Sequence, residues 1–417
     1  MRKLLGTNRP EMLLFFLLIA FAALGNGFSD SVYSNYFKEV YQVTTVQRGF
    51  IEFPRELPGL LCALLVAVLG RFGDVRAAII AQVLAFAGLT VLGLVTPPFA
   101  VMLIFLFINS TGMHLFMPLR DSIGMSLAEP GRVGKRMGQY ASTQAFVGMA
   151  AGLVVFIGFR TGFFTFQSNV RWVFLVGAMS FLVAIFIAIL LSAKCGDGLH
   201  TKRKFRLVFR KHYKYYYFLT ILKGAQKQIA YVYGTWVIVQ LLNKGADVMS
   251  MLLIVGSFLS IFFMRLVGHW MDRYGIKKMM YLDALTFIII YAIYGFVVWG
   301  ISARGLGSLV WPVFGVYGLF ILDRLSMQIG VVNAVYLRSI SWNNDEVTQT
   351  LSTGTSLDHV VSIIAASLCG LIWVHWGAQW VFFVASIFSL GNLYVAARVR
   401  PEEEKAVAEQ ARAQMQV

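Results

Sequence analysis

Charge is what this chain has least of. Asp, Glu, Lys and Arg make up 13% of its 417 residues, whereas a soluble domain carries roughly 25%. Cysteine is scarce too. Cys62, Cys195 and Cys369 offer neither a disulfide framework nor a metal-ligand spacing, and small apolar filler is the role expected of them. The sequence has no Walker loop, dinucleotide fingerprint, HExxH, CxxC or G-x-S-x-G. Nothing therefore points to an ATP-driven pump or an enzyme, and no cofactor or metal is expected. The composition also excludes a disordered chain, a disulfide scaffold and an ordinary cytosolic enzyme.

Apolar residues fill the place left by charge. Hydrophobic residues reach 58%, with 35 Phe, 17 Tyr and 9 Trp, and the mean hydropathy is +0.70. A helix needs roughly 20 apolar residues to cross the hydrocarbon of a bilayer. Twelve such runs can be traced: 12–37, 45–69, 76–95, 99–127, 137–160, 171–193, 215–242, 247–270, 277–300, 308–336, 348–373 and 377–397. They are too long and continuous for barrel strands. A backbone without water must satisfy its own hydrogen bonds, so they read as helices. The first run resembles a signal peptide, with Arg2 and Lys3 ahead of Leu13–Leu24. It continues to Phe37 and many equal runs follow, so an uncleaved first span is expected. The fold class is thus an all-α membrane protein of twelve transmembrane helices.

The net charge is +16. Lys and Arg outside the runs gather in the two termini and in the loops after even-numbered runs. That bias places both termini in the cytoplasm, in a plasma or inner membrane. The basic balance therefore speaks of topology and membrane lipids, and nucleic acid is not an expected partner. The longest inside loop, 194–214, carries Lys202, Arg203, Lys204, Arg206, Arg210, Lys211 and Lys214 among Phe205, Leu207, Val208 and Phe209. It suits a basic linker, with a helix lying on the membrane surface as the alternative. The expected division is a first bundle over 1–193, the linker 194–214, a second bundle over 215–400 and a polar cytoplasmic tail over 401–417, frayed as termini commonly are.

One internal repeat supports two halves. Run 2 ends in Gly70-Arg71-Phe72-Gly73-Asp74-Val75-Arg76. Run 8 ends in Gly268-His269-Trp270-Met271-Asp272-Arg273-Tyr274-Gly275-Ile276-Lys277-Lys278. Asp74 and Asp272 stand 198 positions apart, close to half the chain, as parallel six-helix repeats require. Here the sequence resembles the major facilitator superfamily. The second copy closely matches that family's G-x-x-x-D-R-x-G-x-[RK]-[RK] loop. The first keeps Gly70 and Asp74 but has Val75 in place of the Arg and lacks the later Gly. The resemblance implies two pseudo-symmetric six-helix bundles and transport by alternating access. It also implies a gating role for Gly70, Asp74, Gly268, Asp272, Arg273 and Gly275. Physically, Gly would let two helices approach, and an Asp at a helix end would face the positive N-terminus of a neighbour.

Ionisable groups inside the runs cost about 2.5–3.5 kcal/mol each at the bilayer centre, so they should line a cavity or pair. Away from the edges of the runs, the acids are Asp30, Glu52, Glu56, Asp121, Asp283, Asp323 and Asp358, and the bases Arg55, Arg120, Lys223, Lys227, Arg265 and Arg324. Glu52 and Glu56 share a helix face with Arg55 and compete for it. The 198 offset sets Asp30 opposite Gln228, beside Lys227, and helices 1 and 7 line the central cavity in the family. Asp323-Arg324 and Asp358-His359 are adjacent pairs serving different neighbours, with His359 a candidate proton carrier. Asp30, Glu52, Arg55, Glu56, Lys223, Lys227, Asp323, Arg324, Asp358 and His359 are therefore the candidate substrate and proton pathway, and Asp283 is expected to be structural.

The expectation is a monomeric secondary active transporter of a small polar organic solute, anionic or zwitterionic, coupled to protons. Two alternatives stay open: an exporter of amphipathic drugs or lipids, and a transporter-like sensor that binds solute without moving it.

Overall fold

A computed structural model of the chain describes residues 9–69, 72–129, 132–195, 209–305, 309–342 and 344–414. The described residues are helical nearly throughout. Helix α1 is Pro10–Asp30, resuming as Tyr33–Tyr41. Helix α2 starts with the short turn Thr45–Phe50 and continues as Glu52–Leu69. Then come α3 (Asp74–Leu94), α4 (Phe99–Leu127), α5 (Val133–Arg160) and α6 (Trp172–Cys195). Helix α7 begins as Lys214–Gln228 and carries on through two π-type turns, Ile229–Tyr233 and Val237–Leu241. Helices α8 and α9 share the stretch Ala246–Arg304 and diverge at Gly275. Helix α10 is Val310–Ile329 continued by Val331–Ile340, α11 is Asn344–Trp376, and α12 is Ala378–Phe388 continued by Leu390–Arg398.

Nine helical stretches among the described residues are long and apolar enough to cross a membrane, and one of them, Ala246–Ala303, is of double length. Helix α2, diluted by Glu52, Arg55 and Glu56, and α7, which holds Lys223 and Lys227, complete the twelve. The start of α2 is written locally. The Thr44 hydroxyl accepts from the Gln47 N–H at 3.2 Å, and the Gln47 side chain accepts from the Thr44 N–H at 2.8 Å. That reciprocal box satisfies two N–H groups the helix leaves open.

Gly275 separates α8 from α9 with φ 75° and ψ 169°, a conformation that side-chain-bearing residues essentially never adopt. Gly275→Ala is expected to lower the thermal midpoint of the purified protein, since such strain costs about 1–3 kcal/mol. An unchanged midpoint would show that the turn can relax.

The tail departs from expectation. Pro401–Gln414 is a helix, α13, with Glu402, Glu403 and Glu404 in its first turn. Pro at the first position, acids beside the positive helix end and the interspersed Ala406, Ala408, Ala411 and Ala413 favour it. Ala408 is buried, and the Tyr336 hydroxyl donates to Glu404 Oε2 at 2.6 Å.

Two compact units emerge. The first comprises residues 1–42, 54–205 and 245–254, and the second 43–53, 206–244 and 255–417. Two short segments, 43–53 and 245–254, thus group outside the halves that the sequence division gives them. The surface-helix reading of 194–214 falls largely on 196–208, outside the described residues. In the first unit, Phe15 and Phe16 pack on Tyr140, with ring centres 5.0 and 4.8 Å apart. The core of the second gathers Tyr213, Tyr336, Val332 and Val395. Helix α6 buries Phe174, Phe181 and Leu191 while exposing Met179, Phe186 and Leu190. This is the division a helix makes between its bundle and lipid.

Candidate functional site

In the first unit, Arg55 Nη2 lies 3.9 Å from Asp30 Oδ1. Its guanidinium carbon stands 5.3 Å from the centre of the Tyr33 ring, within cation–π range. The Tyr33 hydroxyl donates to Asn109 Oδ1 at 2.9 Å, and Asn109 Nδ2 donates to the Ala85 carbonyl at 2.9 Å. Ser110 donates to the Arg55 carbonyl at 2.6 Å, fixing that turn of α2 against α4. Asp30 remains half exposed. A long, half-open pair gains little from mutual attraction.

In the second unit, Lys227 Nζ contacts Asp358 Oδ2 at 2.8 Å, and both side chains are largely buried. The packing of α7 on α11 explains the reach. A Cβ on Gly224 would sit 2.7 Å from the Asp358 carbonyl, and the Ser362 hydroxyl donates to the Gly224 carbonyl at 3.1 Å. His359, next to Asp358 in the chain, is buried, and Lys223 lies one turn earlier on α7, partly buried. Arg324 is clasped by aromatic faces, 4.8 Å from the Tyr231 ring centre and 4.7 Å from that of Phe320. Tyr231 belongs to the first π-type turn of α7. The extra residue in such a turn rotates the side chains that follow, which is why these turns recur at functional sites. No sequence signal announces it.

The expected contest of Glu52 and Glu56 for Arg55 takes another form. Arg48 Nη1 binds Glu52 Oε1 at 2.6 Å, with the two side chains 1% and 3% exposed. Arg48, set aside as an edge residue of the second run, is in fact buried one turn ahead of Glu52. With Arg48 included, the acids inside the spans no longer outnumber the bases. The i,i+4 spacing is the signal that reveals the pair. The segment is docked tightly: Trp236 Nε1 donates to Thr45 Oγ1 at 3.1 Å, and a Cβ on Gly49 would collide with the Ala366 carbonyl and lie 2.7 Å from the Tyr233 hydroxyl.

The two loop motifs are not built alike. Gly70 lies outside the described residues. Gly73, at φ 84°, ends the turn, so Asp74 is the first residue of α3, where its charge meets the positive helix end. It is buried and accepts a hydrogen bond from the Ser122 hydroxyl of α4. In the second copy the break falls after the acid. Asp272 and Arg273 close α8 and are exposed, and Arg273 lies 5.5 Å from the Tyr274 ring. Among the described residues, a Cβ on Gly268 would meet nothing within 4 Å, so none of them makes the close helix approach expected at that glycine. The motif's degraded copy is thus the one embedded in its unit.

Further polar groups lie near the C-terminal ends of α4 and α8. Arg120 holds Asp121 at 2.8 Å and donates to Gln144, while Arg265 is exposed on α8. Arg136, in the first turn of α5, grips both oxygens of Glu129 in the α4–α5 loop at 2.7 and 2.8 Å. Those hydrogen bonds hold the Glu129 carboxyl down to about 2. The bracket therefore persists well below the ordinary carboxylate range and opens only as pH falls toward that value.

Two helical units carrying charge pairs inside apolar helices define an integral, multi-pass membrane protein of the solute-transporter class. The family model of the Major Facilitator Superfamily matches residues 15–341, and the chain belongs to that family: it is a secondary transporter of small solutes, not an enzyme. Similar solved structures include the nucleoside transporter NupG, 13% identical, with a TM-score of 0.71 over 94% of this chain and 100% of that one. A D-xylose-proton symporter is 15% identical, with a TM-score of 0.69 over 94% and 98%. A mutant of the peptide transporter POT, solved in complex with sulfate, is 14% identical, with a TM-score of 0.67 over 93% and 94%. At these identities the likeness speaks of the fold. No curated protein matches the chain.

Proposed function

We propose that this transporter carries a small anionic or zwitterionic organic solute, coupled to protons, across the plasma or inner membrane. The Lys227–Asp358 pair carries the reading. It is a strong, mostly buried ion pair on the helix that sequence symmetry matches to α1, where Asp30 and Arg55 form a looser one. Within the second unit a solute carboxylate can take over Lys227 from Asp358, and a solute ammonium can take over Asp358 from Lys227. Lys223 and Arg324 add positive charge to the second unit. The other expected members, Glu52, Glu56, Asp323 and His359, flank these groups in sequence. Both termini face the cytoplasm, and accessibility tags at either end and in 161–170 check this. An external C-terminus would overturn the topology.

A thermal-shift screen tests the solute class, because a bound ligand stabilises the native state by mass action. The panel comprises a nucleoside, D-xylose, a dipeptide and 5-aminolevulinic acid. A zwitterion is expected to raise the midpoint of the wild type. Lys227→Ala should weaken that binding roughly 10- to 100-fold, the worth of one charge-assisted hydrogen bond. Stabilisation by the neutral sugar alone, unchanged in Lys227→Ala, would contradict the proposed class.

A further inference from the structure

Most acids inside the spans have a base. Asp30 has Arg55, Glu52 has Arg48, Asp121 has Arg120 and Asp358 has Lys227; Glu56 is engaged too. Asp283 on α9 and Asp323 on α10 stand apart. They are 3% and 1% exposed, and among the described residues neither forms an ion pair. Each has an oxygen, Oδ1, that accepts no hydrogen bond from a described residue.

The two carboxyls are joined by a chain of polar groups inside the second unit. Asn392 Nδ2 of α12 reaches Asp283 Oδ2 at 3.5 Å. Gln226 Nε2 of α7 donates to Asn392 Oδ1 at 3.3 Å and to Ser389 Oγ at 2.9 Å. The Gln226 carbonyl accepts from the Tyr291 hydroxyl at 3.3 Å. Tyr291 lies against Asp323 and within electrostatic reach of Asp283. Tyr291 has one proton to divide between the Gln226 carbonyl and the Asp323 carboxyl, so its hydroxyl does not replace a cation at Asp323. The other groups facing the pair are Lys223 of α7, which acts on Asp283, and Tyr294 of α9 and Arg324 of α10, which act on Asp323. A carboxylate buried without a hydrogen-bonded cation is costly, and such a group neutralises by holding its proton.

We propose that Asp283 and Asp323 form a buried proton-binding site, loaded in this conformation, and that it supplies the proton the solute is coupled to. Loading converts a carboxylate to a carboxylic acid. Release sends the proton to water and leaves a charge that a movement of Lys223 or Arg324 can answer. Coupling rests on the functional reading above, whereas the site itself does not.

Infrared difference spectroscopy of the purified protein, stepped between acid and alkaline buffer, reads the site with the proton as the only probe. The wild type is expected to show a protonated-carboxyl C=O stretch band that changes with pH. The band should lose some of its intensity in Asp283→Asn and in Asp323→Asn and vanish in the double variant. Asp283→Glu, which keeps the carboxyl, should restore a shifted band. A wild type without the band, or a double variant that keeps it, overturns the proposal, and a polar cluster with a purely structural role would give that result. The coupling clause is read separately in vesicles. If the wild type accumulates solute in response to pH and both amide variants do so equally, the site exists but does not couple, and the clause fails. If the wild type itself does not respond, the functional reading fails while the infrared band stands.

Discussion

Glu52→Gln is expected to destabilise the folded protein by about 3–5 kcal/mol, the cost of leaving one member of a buried ion pair without its charge. Arg48 and Glu52 are almost wholly hidden and lie 2.6 Å apart. Removing the carboxylate charge leaves a guanidinium that can neither reach water nor shed its proton. The loss should appear as a lower thermal midpoint and a smaller folded fraction in detergent. Arg48→Met combined with Glu52→Leu should recover most of it, because well-packed apolar residues often replace a buried pair at no net cost. If Glu52→Gln folds with an unchanged midpoint and loses only its response to pH, the pair is functional rather than structural.

The second large effect is expected at the α3–α4 contact. A Cβ on Gly112 would collide with the Ala81 carbonyl and lie 2.5 Å from the Ala85 N. A Cβ on Gly88 would lie 2.5 Å from the Phe105 carbonyl and 2.6 Å from the Asn109 N. Backbone cannot step aside as a flexible side chain can. Gly112→Leu must therefore push α3 and α4 apart along their length, and the cost should reach or exceed the roughly 1–3 kcal/mol of ordinary overpacking. It would also pull Asn109 from the Ala85 carbonyl and from Tyr33, beside Arg55. Little folded protein is expected in the membrane fraction. Gly138→Ala is the control, since its Cβ would meet nothing within 4 Å. Normal yield of Gly112→Leu would show that α3 and α4 can separate freely.

The twelve helices are legible in the sequence because a span announces itself by length and apolar content, and each observed helix begins and ends within a few residues of its run. The Gly275 break is legible as well, since a glycine between two basic turns has few other uses. Partners are harder. A base at the edge of a run, such as Arg48, resembles a loop residue, and only packing shows it buried. The tail helix is hidden by its polarity, which masks the helix-forming alanines and the acidic first turn. The loop copies mislead in another way. Matching residues at a matching offset suggest matching geometry, yet Gly73 precedes its acid and Gly275 follows it, so Asp74 is buried while Asp272 is exposed. The π-type turn that brings Tyr231 to Arg324 has no sequence pattern of its own.

Uptake into proteoliposomes under an imposed pH gradient tests proton-coupled transport most directly, with the four panel solutes offered at equal concentration inside and out. Accumulation of a zwitterionic member against its own gradient is expected, abolished by a protonophore and absent from empty vesicles. Equal distribution of every solute, with or without the pH gradient, would contradict it.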